Sequence, residues 1–272
     1  MKLSQDRKIP VVLTIAGSDP SGGAGIQADI KVFNEFCVYS MAVITSLTAQ
    51  NTMGVLEVYN LDKKFLIRQL EACLSDIKPD AFKTGMISLP SMPEVIANFI
   101  IKYGLKNYVL DPIIMSGSGK MLCDKKTPSM MVKHLFPYAF LITPNINEAE
   151  FFSGIKINNV DDMIKASQYI KNMGPLNLLL KGGHIGGDEC IDVLLLNSGK
   201  IRFFKHKRIK NIKTHGTGCG LSSAIVALIA RGFDIEDAVK MAIDYTVMAI
   251  KRSLRVGHSA LVLNHFWKRI KR

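Results

Sequence analysis

The chain has 272 residues, 48% of them apolar and 21% charged, with a formal net charge of +12. That length holds a sizeable core and fits one large α/β domain or two small ones. The composition excludes a disordered chain and, with no run of about 18 apolar residues, a membrane-spanning helix. Five cysteines, an odd count without C-x-x-C spacing, argue against zinc and a disulfide framework and for reduced thiols in the cytoplasm. The basic charge concentrates at 200–213, with seven Lys/Arg and no acid, and at the C-terminal KRIKR. Neither stretch carries a nucleic-acid-binding signature, so both read as solvated surface, with neither nucleic acid nor membrane as partner.

Short apolar runs alternate with amphipathic segments along the chain. Val11–Ala16 predicts a strand, Gly17–Gly23 a loop, and Ile26, Ile30, Phe33 and Cys37 a helix. Met41–Thr48 predicts a second strand, and Phe65, Leu66, Gln69, Leu70, Cys73 and Leu74 a second helix. Ala81–Thr84 follows as a short strand, 95–103 as a helix, Asn107–Leu110 as a strand, and 128–136 as a helix. Then come a strand at 139–142, a helix at 160–173 and a strand at 176–180. Ile191–Leu196, the turn Asn197-Ser198-Gly199 and Ile201–Phe204 predict a hairpin. The chain closes with a Gly-rich turn at 216–220 and helices expected at 221–231, 234–254 and 260–270. Without a linker or internal repeat, the expectation is one domain over 1–272 with a mostly parallel sheet covered on both faces. Ligands gather at the C-terminal ends of strands in such folds. Gly17, Asp111, Asn145 and Lys181 all fall at such ends.

Thr214-His-Gly-Thr-Gly-Cys-Gly220 stands directly before an apolar helix. Such a turn aims backbone N–H groups at one spot and adds the positive end of the helix dipole, which makes an anion site. A helix N-terminus also favours thiolate, so Cys219 is expected to be partly ionised near neutral pH. Gly17–Gly25 (GSDPSGGAG) also runs from strand to helix, but it is neither a Walker A loop nor a dinucleotide fingerprint, because no acid ends the second strand. By itself it says that backbone must come close to something. Asp111 and the run Thr143-Pro144-Asn145-x-x-Glu148 supply the hard oxygen donors a Mg²⁺–phosphate site uses. His184, His215 and His258 lack metal-ligand spacing.

TIAGSDPSGGAGIQADIK, AVITSLTAQNTMGV, KTGMI, LDPIIMSGSG, LITPNINEAE, LLLKGGH, THGTGCGLSSAI and VGH together resemble the hydroxymethylpyrimidine/phosphomethylpyrimidine kinases of thiamine biosynthesis, from about residue 11 to 258. The resemblance implies a ribokinase-like, three-layer α/β fold with a sheet of about nine strands, usually in a homodimer. It implies transfer from ATP, with Mg²⁺, to the pyrimidine alcohol and then to its monophosphate. By the same resemblance Gln50 and Asp29 face the pyrimidine, and Gly17, Met86 and Ile113 shape its pocket. Asp111 and Glu148 serve Mg²⁺ directly or through water, and Asn145, Lys181 and Thr214 lie near the phosphates. Gly216, Thr217, Gly218 and Cys219 form the anion hole, with Cys219 where many relatives carry an aspartate base. Gly117, Gly220 and Ser259 depart from the residues usual there. Pyridoxine or pyridoxal kinase is the alternative, and the Cys of the GTGC turn and the AQNT segment favour the pyrimidine.

Overall fold

A computed structural model describes residues 9–116, 119–183, 187–210, 212 and 214–269. The elements in chain order are β1 Val11–Ser18, α1 Gly25–Glu35, β2 Tyr39–Asn51, β3 Gly54–Asn60, α2 Lys63–Leu74, β4 Ala81–Thr84, α3 Met92–Tyr103, β5 Tyr108–Leu110, α4 Thr127–His134, β6 Leu141–Ile142, α5 Ile146–Ser153, α6 Val160–Lys171, β7 Asn177–Leu180, β8 Glu189–Leu195, β9 Ile201–Lys207, β10 Thr214–His215, α7 Thr217–Ala230, α8 Ile235–Lys251 and β11 Leu261–Val262. Nine strands form one sheet in the order β3-β2-β1-β4-β5-β6-β7-β8-β9. β2, β1, β4, β5, β6 and β7 run parallel, while β3, β8 and β9 pair antiparallel. No described helix is long and apolar enough to cross a membrane.

Alternation along the strands feeds two cores. Leu13, Phe82, Leu110, Ile142 and Leu178 point to one face, under residues of α2 to α6. Val12, Ala81, Val109, Leu141 and Leu179 point to the other, under α1, α7 and α8. A strand buried on both faces reads as a continuous apolar run, which is why the short central strands are visible in the sequence. α7 is buried all round, from Cys219 through Ile229, and is apolar apart from Ser222 and Ser223, so it is the central helix of its layer. Side chains of Asp62, Asn145, Asn159 and Asp234 cap α2, α5, α6 and α8.

The 191–204 hairpin is present as β8 and β9, and α3 begins earlier than expected. Two elements differ in kind. β3 pairs with the second half of a β2 that extends to Asn51, so Gln50 lies on a strand; its sequence, GVLEVYN, lacks regular burial because it is an edge strand. The helix expected over 260–270 is instead β11, paired with β10, followed by turns to 269. Leu263 and His265 are buried here with their side chains against Gly220, not by a helical face.

Candidate active site

The C-terminal ends of β1, β4, β5, β6 and β7 and the start of α7 enclose a cavity of about 580 Å³, and every site residue named from the sequence lines it. The loop after β1 explains its glycines. Asp19 folds it by accepting from Ser21 N, Ser21 Oγ and Ala24 N at 2.8–2.9 Å. Gly216, at φ +80°, has the position of its missing Cβ 1.9 Å from Gly23 O. The backbone that this loop approaches is therefore the turn before α7. Any side chain at Gly216 would meet both a left-handed backbone conformation and a collision with backbone. Gly218 faces Lys181 Nζ and Asp111 Oδ2, each within 4 Å of where a Cβ would sit, so the turn lies directly against the charged cluster. Thr214 and Thr217 pair through their hydroxyls at 3.0 Å. Gly220 has ordinary contact distance for a side chain, 3.5 Å to His265 and Leu263, so its smallness is not forced. Gly117 and His184 lie outside the described residues.

Asp111, just past β5, is buried and bonded to Lys181 Nζ at 3.1 Å, Thr143 Oγ1 at 3.2 Å and Ser222 Oγ at 3.2 Å. Burial pushes its carboxyl pKa up, but Lys181, then Lys83, hold it below the ordinary value. Lys181 is raised: burial lowers it, and Asp111 and Glu148 more than restore it. Glu148 caps α5 reciprocally with Asn145, each side chain accepting from the other's backbone N–H at 2.8–2.9 Å. Burial lifts Glu148 to about 7; Lys181 opposes that shift and Asp111 adds to it. Two buried carboxylates thus share one ammonium, which leaves negative charge that a divalent cation would neutralise. The donor set suits Mg²⁺ as one or two carboxylates plus phosphate oxygens. Among the described residues no cluster of three or more His, Cys, Asp or Glu side chains forms a complete protein cage.

Beneath the turn lies a group that the sequence reading missed. Lys83 of β4 and Asp29 of α1 are both 0% exposed and form an ion pair at 2.8 Å. Asp29 also accepts from Thr14 Oγ1 and Ser223 Oγ, both at 2.6 Å, and Lys83 reaches Ser223 at 3.2 Å. Both Asp29 oxygens are thereby engaged from the sheet and from α7, so it supports the cavity floor rather than offering a free carboxylate to a ring. Burial works to lower the Lys83 pKa, yet Asp29, then Cys219 and Asp111, hold it above its ordinary value.

Cys219 is buried, and burial lifts its thiol to about 12 against the pull of Lys83. The partial ionisation expected from the helix N-terminus is therefore corrected: burial, with the Asp29 and Asp111 carboxylates adding to it, keeps the thiol protonated near neutral pH. On the cavity wall, Gln50 touches His215, and His215 Nε2 lies 3.1 Å from Asp19 Oδ2. Gly17 packs against Met86, and Ile113 stands near Gly85. Asp19 and His215 were unassigned or secondary from sequence; a loop aspartate two residues from a glycine reads simply as turn chemistry.

The sequence profile of the phosphomethylpyrimidine kinase family matches residues 19–264. The hydroxymethylpyrimidine/phosphomethylpyrimidine kinase of Bacillus subtilis is 39% identical over 93% of this chain and 94% of its own length. Among solved structures, the phosphomethylpyrimidine kinase of Clostridium difficile superposes with a TM-score of 0.78 at 44% identity, covering 89% of this chain and 100% of that one. The pyridoxal kinase of Staphylococcus aureus, in complex with AMP-PCP and pyridoxal, superposes with a TM-score of 0.87 at 30% identity, covering 95% of this chain and 94% of that one.

Proposed function

The chain belongs to the phosphomethylpyrimidine kinase family, and from that premise we propose that it moves the γ-phosphoryl of ATP to 4-amino-5-hydroxymethyl-2-methylpyrimidine and then phosphorylates the monophosphate to the pyrophosphate, in thiamine biosynthesis. The observation that carries this reading is the meeting, in one cavity, of the glycine turn before α7, the Asp111–Lys181–Glu148 cluster and the amide of Gln50.

The pyrimidine lies between Gly17, Met86 and Ile113, with Gln50 on its polar edge. Asn145, Lys181 and Thr214 face the phosphates, and the amides of Gly216 to Cys219 receive the charge of the moving group. Asp111 and Glu148 hold Mg²⁺ directly or through water; the ion, when bound, neutralises phosphate oxygens. With its thiol protonated, Cys219 positions the substrate hydroxyl instead of serving as a preformed base. A loose transition state makes little demand for early deprotonation, so the hydroxyl proton leaves after the P–O bond has formed, to a phosphoryl oxygen. Asp29 acts from below, through Lys83 and Ser223.

The same proposal treats 1–272 as one domain, supported by a single sheet with strands from residue 11 to 207. A homodimer is supported by exposed Leu56 and Tyr59 on the edge strand β3 and by exposed Met53 beside it. A cytoplasmic site is supported by five free cysteines. Pyridoxine is the rival alcohol. ADP release from Mg²⁺–ATP, measured with each alcohol in turn, is expected to be fastest with the aminopyrimidine. Preference for pyridoxine would transfer the assignment to that substrate, and turnover of neither would refute the kinase reading.

A further inference from the structure

We infer that Asp19 and His215 fix which end of the Gln50 amide points to His215 and which to Thr48, and so act as positioning residues for the choice of heterocycle. The inference rests on the kinase reading above for its substrate but not for its geometry. As placed, the amide nitrogen of Gln50 lies against His215 Nε2, and the amide oxygen lies 3.2 Å from Thr48 Oγ1. The two ends of an amide have the same shape, so hydrogen bonding decides between them.

His215 Nε2 is also 3.1 Å from Asp19 Oδ2. The Asp19 carboxylate accepts three donors from its own loop, and with the hydrogen bond from His215 they hold it ionised despite burial. A bare imidazole nitrogen facing that carboxylate would set lone pair against lone pair. Nε2 therefore carries a proton. Gly23 keeps the ring in place, since even a Cβ there would come within 2.8 Å of His215 Cδ2. A protonated Nε2 cannot face an NH₂ group, so the end of Gln50 beside it is the oxygen, and the single Nε2 proton is shared between that oxygen and Asp19 Oδ2 in a three-centre bond. The other end then fits without change elsewhere. Thr48 Oγ1 gives its single proton to Ser18 O at 3.0 Å, leaving lone pairs to accept from the amide nitrogen.

The chain Asp19–His215–Gln50–Thr48–Ser18 thus orders donor and acceptor on the forward edge of the amide. An aminopyrimidine edge, a ring nitrogen acceptor beside an amine donor, matches that order in one register only. A ring bearing a hydroxyl there is less selective, because a hydroxyl donates or accepts. His215 and Asp19 would discriminate between two flat hydroxymethyl rings without touching either.

Two measurements test this. In NMR of the whole chain, with the Gln50 side-chain amide signals identified by their loss in Gln50→Ala, NOEs from those protons are expected to the Thr48 methyl. NOEs to the His215 ring protons instead would overturn the inference. Kinetically, His215→Phe and the near-isosteric Asp19→Asn are each expected to raise the KM for the aminopyrimidine about tenfold, with less than threefold change for pyridoxine, so that discrimination narrows. An unchanged aminopyrimidine KM, or an equal rise in the KM for ATP, would count against it. If the aminopyrimidine is not a substrate at all, the kinase reading falls and the NOE pattern still decides this one.

Discussion

Lys83→Met would remove the ammonium from the buried pair and leave the Asp29 carboxylate between two hydroxyls, Thr14 and Ser223, each 2.6 Å away. Removing one partner of a buried ion pair costs about 3–5 kcal/mol, because the remaining charge is uncompensated. Two charge-assisted hydrogen bonds remain, so the lower part of that range is expected. With a urea m-value of about 3 kcal/mol/M, the unfolding midpoint falls by about 1 M. Asp29→Asn in the same background should recover part of the loss, giving a coupling of about 2 kcal/mol, as contacting residues do. The pH dependence has a definite sign. The Lys83 pKa is raised in the folded protein, so its contribution is fully present below the ordinary lysine value, about 10.4, and is lost as pH rises through the higher folded value. The gap between wild type and Lys83→Met is therefore expected to be constant from pH 7 to 10. Urea titration monitored by circular dichroism measures both quantities. A single-variant cost below about 1 kcal/mol, or strict additivity in the double variant, would refute the reasoning that this pair anchors the floor of the site.

Because the Cys219 thiol sits at about 12, alkylation of the Cys219 peptide, followed by mass spectrometry, should accelerate about tenfold per pH unit between pH 7 and 10. A rate already level at neutral pH would mean a preformed thiolate. Glu148, lifted to about 7, must give up its proton to serve a metal, so Mg²⁺ should bind more tightly as pH rises from 6 to 8, by up to about tenfold per unit. Titration of Mg²⁺ into the ATP complex checks this; Glu148→Gln should lose the added dependence, and an unaltered slope in that variant would exclude Glu148 from the metal site.

Much of the fold was legible because burial on both faces of a parallel sheet writes itself as apolar runs, as in Val11–Ala16 and Ala81–Thr84. What escaped was extended chain whose burial depends on distant partners. β3 is an edge strand, and β11 is held by distant partners, pairing with Thr214 and His215 and bridging to Leu254. The residues proposed for the site from the sequence motifs come together around one cavity. Lys83 was missed because a lysine in a four-residue strand signals nothing about its partner until Asp29, 54 residues away, is folded against it. Asp29 was read as facing the ring for the same reason. The expected ionisation of Cys219 followed from the helix N-terminus alone, whereas its depth of burial is a tertiary property.

Sequential phosphorylation of an aminopyrimidine alcohol is proposed to take place at this one cavity. Its most direct test is the product time course with Mg²⁺–ATP, starting once from the alcohol and once from its purified monophosphate. Monophosphate is expected to rise before pyrophosphate in the first case, and pyrophosphate to form without a lag in the second. Monophosphate that accumulates and is never converted would contradict it.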